Sequence, residues 1–134
     1  MKKEIKKYLG IDWGLSRIGT ALGDSETKMA FPFKTVYNLK EILELIEIEN
    51  IDEIVLGKPL KMSGSSQLNN DFKKFSKELE NKIEIPFKYI DERLSSKASD
   101  ALVGDKKTKA SRDEISAMLI LQSYFDQIKN ESDL

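Results

Sequence analysis

Three short apolar runs, each closed by turn-forming residues, open the chain, and from Asn38 onward the apolar spacing changes to steps of three and four. Ile5 to Asp12, Arg17 to Gly23 and Lys28 to Val36 read as strands, and the short polar segments between them predict antiparallel neighbours. Pro32 lies inside the third run. A proline cannot donate to a ladder, so that strand is expected at a sheet edge. Asn38 is placed to cap a helix over Leu39 to about Glu49, whose Leu39, Ile42, Leu43 and Ile46 share one face. "IDEIVLGKP", from Ile51, predicts a short buried strand ending at Gly57, followed by a Gly- and Ser-rich loop, "KPLKMSGSSQ". Leu68, Phe72, Phe75 and Leu79 then mark a second amphipathic helix.

The remainder repeats the strand–helix alternation. "PFKYID", Pro86 to Asp91, is a strand; Ser95 or Ser96 opens a short helix through about Val103; a basic loop, "GDKKTKA", leads to a last helix. Ser111 and Glu114 form a capping box at its start. The order β-β-β-α-β-α-β-α-α predicts a mixed α/β sheet with helices on its faces and right-handed crossovers.

Composition narrows the chemistry. The chain of 134 residues is 40% hydrophobic and 34% charged, the balance of a folded domain, and we expect one domain over 1–134 with the last few residues as a tail. It contains neither cysteine nor histidine, which excludes disulfides, thiolate nucleophiles, zinc sites of the usual kind and an imidazole base. Any catalysis must use carboxylates, lysine, hydroxyls or a hard metal ion held by oxygen. "MKKEIKK" is basic but lacks an apolar core behind it, and no run approaches a membrane span, so no membrane association and a cytoplasmic location are expected. The net charge of −1 argues neither for nor against a nucleic-acid partner when charges are segregated.

Three carboxylates fall at comparable places. Asp12 ends the first strand, Glu92 or its neighbour Asp91 follows the last, and Asp113 lies in the first turn of the final helix. Ligands collect beyond the carboxyl ends of parallel strands, where these acids would meet if the first and last strands run the same way. Gly10, on the face of Asp12, and Gly14 leave space for a ligand beside it, while the small Ala110, Ser116 and Ala117 would let the helix end come close to the sheet. Each acid also has a structural explanation: Asp12 as a turn former, Asp91-Glu92-Arg93 as a solvated corner, Asp113 as a helix-dipole partner. Lys106, Lys107, Lys109 and Arg112 are either solvated surface or a phosphate-binding patch beside Asp113. Trp13 and Tyr89 are either core or base-stacking groups. The glycine loop lacks the order of a P-loop.

"LGIDWGLSRIGTALGD", "IVLGKPLKMSGS", "IDERLSS" and "DEISAMLILQSYFD", in this order from about Leu9 to Asp126, resemble the YqgF/RuvX family of Holliday junction resolvases, also described as pre-16S rRNA processing nucleases. The resemblance implies the RNase H-like fold: a five-stranded mixed sheet in the order 3-2-1-4-5, with strand 2 antiparallel and helices on both faces. It implies Asp12, Glu92 and Asp113 as catalytic acids that hold one or two Mg²⁺ or Mn²⁺ ions, and so selects Glu92 over Asp91. Clustered carboxylates of this kind suit hard divalent ions, and their concentrated charge is costly without a cation.

Arg17 and Arg93 fall inside the matching blocks, as phosphate contacts, acid-orienting groups or salt-bridge partners; with Lys106, Lys107, Lys109 and Arg112 they are the expected nucleic-acid-binding set. Ser16 stands where the family commonly has a lysine, and Ser63 where it has an acid or amide. The implied function is phosphodiester hydrolysis in structured nucleic acid, first in pre-16S rRNA, with a branched DNA junction as the other substrate. Ribosome-assembly factors are implied partners, and the chain is expected as a monomer or homodimer. Competing readings are a non-catalytic RNA- or protein-binding module and a sugar-kinase-like ATPase; the latter needs two such domains, more than 134 residues supply.

Overall fold

Among the described residues the apolar runs resolve into strands and helices whose faces are set by strand register. The computed structural model describes residues 5–58, 66–91 and 112–132. Its elements are β1 (Lys7–Asp12), β2 (Ile18–Asp24), β3 (Ala30–Val36), α1 (Leu39–Ile48), β4 (Glu53–Lys58), α2 (Ser66–Lys82), β5 (Phe87–Asp91) and α3 (Arg112–Ser132). The sheet order is β3-β2-β1-β4-β5, as expected. β2 is antiparallel to β1 and β3, whereas β1, β4 and β5 run parallel. Pro32 accordingly sits on an edge strand. The short helix expected over Ser95 or Ser96 to Val103, the Ser111 cap and most of the Gly57–Gly64 loop lie outside the described residues.

Side-chain alternation divides the core in two. On one face Leu9, Ile11, Ile54 and Leu56 pack under Ile42 and Leu45 of α1 and Phe72 and Leu79 of α2. Trp13 belongs here, edge-on to Phe72 at 5.7 Å between ring centroids, which settles it as a packing group. On the other face Tyr8, Ala21, Val55 and Ile90 lie under Ala117, Ile120, Leu121 and Phe125 of α3. At the amino end of β4 the buried Glu53 accepts a hydrogen bond from the Tyr124 hydroxyl at 2.8 Å, which satisfies a carboxylate that burial would otherwise penalise. Burial, reinforced by Glu53 and then Asp52, pushes the Tyr8 phenol up from its ordinary value.

Local chemistry explains where boundaries move from those expected. Lys28 has φ of 53°, a left-handed turn conformation, and Asp24 Oδ1 accepts from both the amide and hydroxyl of Thr27. β3 therefore begins at Ala30 rather than Lys28. Asn38 caps α1 as expected, its side chain accepting from the Glu41 amide at 2.9 Å. The helix ends at Ile48 because Asn50 turns left-handed (φ 55°) and the Asn50 and Ile51 amides close back on the Glu47 and Ile46 carbonyls. A register shift between Gly19 and Ala21 interrupts the β2–β3 ladder. There the fully buried Thr20 hydroxyl takes over, accepting from the Lys34 amide and donating to its carbonyl.

Candidate active site

Register places Asp12. It lies directly opposite Gly19 across the β1–β2 pair, and Gly10 precedes it by two residues on the same strand face. A Cβ on Gly10 would lie 2.8 Å from Leu121 Cβ and 3.0 Å from the Ala117 carbonyl, and one on Gly19 would overlap the Asp113 carbonyl. Both glycines therefore face α3, and Asp12 shares that face at the level of the helix's first turn. The two acids that sequence placed at opposite ends of the chain thus share one face and level at the carboxyl edge of the parallel strands.

The first turn of α3 is pinned over this edge. Thr35, opposite Gly19 on β3, donates its hydroxyl to Glu114 Oε2 at 2.8 Å. Glu114, whose expected capping partner Ser111 lies outside the described residues, thus ties the helix start to the sheet. Neither Gly19 nor the Thr35–Glu114 bond figures among the expected site residues, because their roles follow from cross-strand register. Two readings of glycine also change. Gly10 makes room for α3 rather than for a ligand, and Gly14 faces the Arg17 carbonyl, where a Cβ would lie 2.8 Å from the oxygen, so it tightens the β1–β2 turn.

Charge converges on the same point. Arg17 Nε lies 3.2 Å from Asp113 Oδ2; the arginine side chain is 65% exposed and the aspartate 24%. Asp91 pairs with Lys58 at the end of β5, one residue after the buried Ile90 of the α3 face, so strand alternation points Asp91 to the opposite face from Asp12. Asp91 is thereby separated from the Asp12–Asp113 pair. Arg112 begins α3, exposed beside Asp113. Glu92, Arg93, Lys106, Lys107 and Lys109 lie outside the described residues. Among the described residues no three acidic side chains gather as a metal-binding group. The two that share this edge, Asp12 and Asp113, offer the hard oxygen donors that a Mg²⁺-like ion prefers, and the guanidinium on Asp113 marks a place that attracts positive charge. Tyr89, in contrast to Trp13, is 46% exposed and rests edge-on against Phe87.

Sequence comparison decides the family: the family model for RuvX, Holliday junction resolvase, matches residues 6–127. The chain belongs to the RuvX family. Among its RuvX-family relatives, a protein of Maridesulfovibrio salexigens named for pre-16S rRNA nuclease activity is 35% identical over 130 residues, covering 88% of this chain and 96% of its own. One of the same name from Protochlamydia amoebophila is 37% identical over 144 residues, covering 93% and 96%. Solved structures agree on the fold. RuvC of T. thermophilus, in complex with a Holliday junction substrate, superimposes with a TM-score of 0.68 at 12% identity, over 92% of this chain and 96% of that one. The fowlpox virus Holliday junction resolvase follows at 0.55 and 14%, over 91% and 99%. The RuvX-family chain thus has the RuvC-like, RNase H-type architecture.

Proposed function

We propose that this chain, a nucleic-acid hydrolase by its family, cuts phosphodiester bonds of pre-16S rRNA with Asp12, Glu92 and Asp113 holding one or two Mg²⁺ or Mn²⁺ ions. The observation that carries the proposal is the shared face and level of Asp12 and the first turn of α3, reached from residues a hundred positions apart in sequence. A carboxylate pair at the carboxyl edge of parallel strands, in a chain without histidine or cysteine, supports ion-assisted hydrolysis over any imidazole or thiolate mechanism. Bound there, a divalent ion supplies an activated water and charge to stabilise the departing oxygen.

The protein's own groups do the rest. Asp12 and Asp113 fix the position of the reacting phosphate relative to the sheet edge, and the Gly19 and Thr35–Glu114 contacts hold Asp113 in register with Asp12. Arg17 and Arg112, with Arg93, Lys106, Lys107 and Lys109 as further members, neutralise the substrate backbone, whose charge would otherwise repel the acidic centre. Relatives named for pre-16S rRNA nuclease activity support a cytoplasmic role; a monomer or homodimer working beside ribosome-assembly factors belongs to the same proposal.

A cleavage panel of pre-16S rRNA, single-stranded RNA and a four-way DNA junction, each with Mg²⁺ or Mn²⁺, tests the reading. Precursor RNA should be cut preferentially, chelation should stop the reaction, and Asp12→Asn should lower the rate by on the order of a hundredfold or more. Preferential cutting of the junction would transfer the assignment to DNA resolution, in keeping with the family description. Undiminished cleavage by Asp12→Asn would remove Asp12 from the site.

A further inference from the structure

Arg17, assigned above to the substrate backbone, is engaged with Asp113 in the structure. It stands on the tight β1–β2 turn, five residues after Asp12, and contacts Asp113 through Nε at 3.2 Å while its side chain stays 65% exposed. An ion pair exposed on its arginine side in this way is weak and readily exchanged. An arginine fork on a phosphate makes two parallel charge-assisted bonds and is stronger. A cation bound by Asp113 would compete for the same carboxylate. We infer that Arg17 is a transferable counter-ion: it neutralises Asp113 in the resting site and passes to a substrate phosphate when Asp113 takes up its divalent cation.

The inference rests on the proposed metal role of Asp113 and adds a consequence for binding. If cation uptake frees Arg17 for the nucleic acid, cation and nucleic acid must each strengthen the other's binding, because coupling between two sites is reciprocal. The backbone need not move. Gly14 packs against the Arg17 carbonyl, so the turn keeps its shape and only the side chain changes partner.

Arginine Nε-detected NMR, calorimetry with Mg²⁺ and a double-mutant cycle on a short fluorescein-labelled RNA hairpin test this together. Mg²⁺ should move the Arg17 Nε–H resonance toward the position it has in Asp113→Asn without Mg²⁺, and the hairpin should move it again. In EDTA, Asp113→Asn should tighten hairpin binding about two- to five-fold, the worth of an exposed pair. That gain should be smaller in the Arg17→Gln background, since the cycle isolates the pairwise part from the general loss of negative charge. An equal gain in both backgrounds overturns the transfer. So does an Arg17 resonance that stays fixed while Mg²⁺ binds with heat that Asp113→Asn abolishes, and in that case the metal site itself survives. Failure of the metal reading looks different: Mg²⁺ heat is absent in the native chain, or unchanged in both Asp12→Asn and Asp113→Asn. Arg17 is then a fixed salt bridge and both ideas fall.

Discussion

A methyl group on Gly19 would occupy the volume of the Asp113 carbonyl, so this one position couples sheet packing to the candidate site. Gly19→Ala must push the start of α3 away from β2, and Asp113 with it. Overpacking of this kind costs about 1–3 kcal/mol. We expect Gly19→Ala to remain folded in urea titrations, with a lowered midpoint, while cleavage and Mn²⁺ affinity fall further than that loss of stability explains. A variant with weakened stability but native Mn²⁺ affinity would show that Asp113 does not depend on this contact. At this scale sequence was a partial guide. Asp12 and Asp113 were readable as candidates because acids at a strand end and a helix start are chemically conspicuous. Gly19 was not, since a glycine inside a strand carries no mark of what lies above it. Arg17 was left between three roles, and only a spatial neighbour 96 positions away along the chain chose its partner.

Turns and caps decide the elements. The β2–β3 connection is held by Asp24, whose carboxyl the Thr27 amide, aided by the Thr27 hydroxyl, draws below its ordinary 3.8. A carboxyl lowered in the folded state contributes stability above its unfolded pKa and loses it as pH falls through the folded value. The contribution should thus be full at neutral pH and fade below about pH 4. Because Asp24 is only partly buried, solvent screening keeps that contribution small. Asp24→Asn should flatten the acid limb of a stability-against-pH curve measured by urea unfolding; an unchanged limb would dismiss the carboxylate's role in this turn. The same local chemistry explains which boundaries could be read beforehand. The Asn38 cap was visible as a side chain with a known preference, and it closes on Glu41 as expected. The late start of β3 was hidden, because the left-handed Lys28 is a poor predictor of its own conformation.

At the scale of the whole molecule, the sheet and α3 together carry the proposed site, so an ion held there should report on global stability. Ligands that bind only the folded state stabilise it by mass action, about 2.7 kcal/mol at a hundred times Kd. Mg²⁺ should raise the melting temperature of the native chain in a concentration-dependent way and leave Asp12→Asn and Asp113→Asn nearly unmoved. Equal shifts in all three would place the ion elsewhere. Among the described residues no helix is long and apolar enough to cross a membrane.

What the amino-acid order determined by itself is local: strand and helix types, the edge position of Pro32, the Asn38 cap, and the absence of any imidazole or thiol chemistry. These follow from side-chain period, backbone restriction and residue inventory, none of which needs a partner distant in sequence. The four motif blocks carried the family and its sheet order as well. Only the tertiary structure decided that Asp12 faces the start of α3, that Asp91 faces away from it, that Gly10 and Gly19 serve helix packing and that Arg17 rests on Asp113. Those are matters of register and of which face a strand turns to a helix. A one-residue change in pairing would reverse them while leaving every local signal intact.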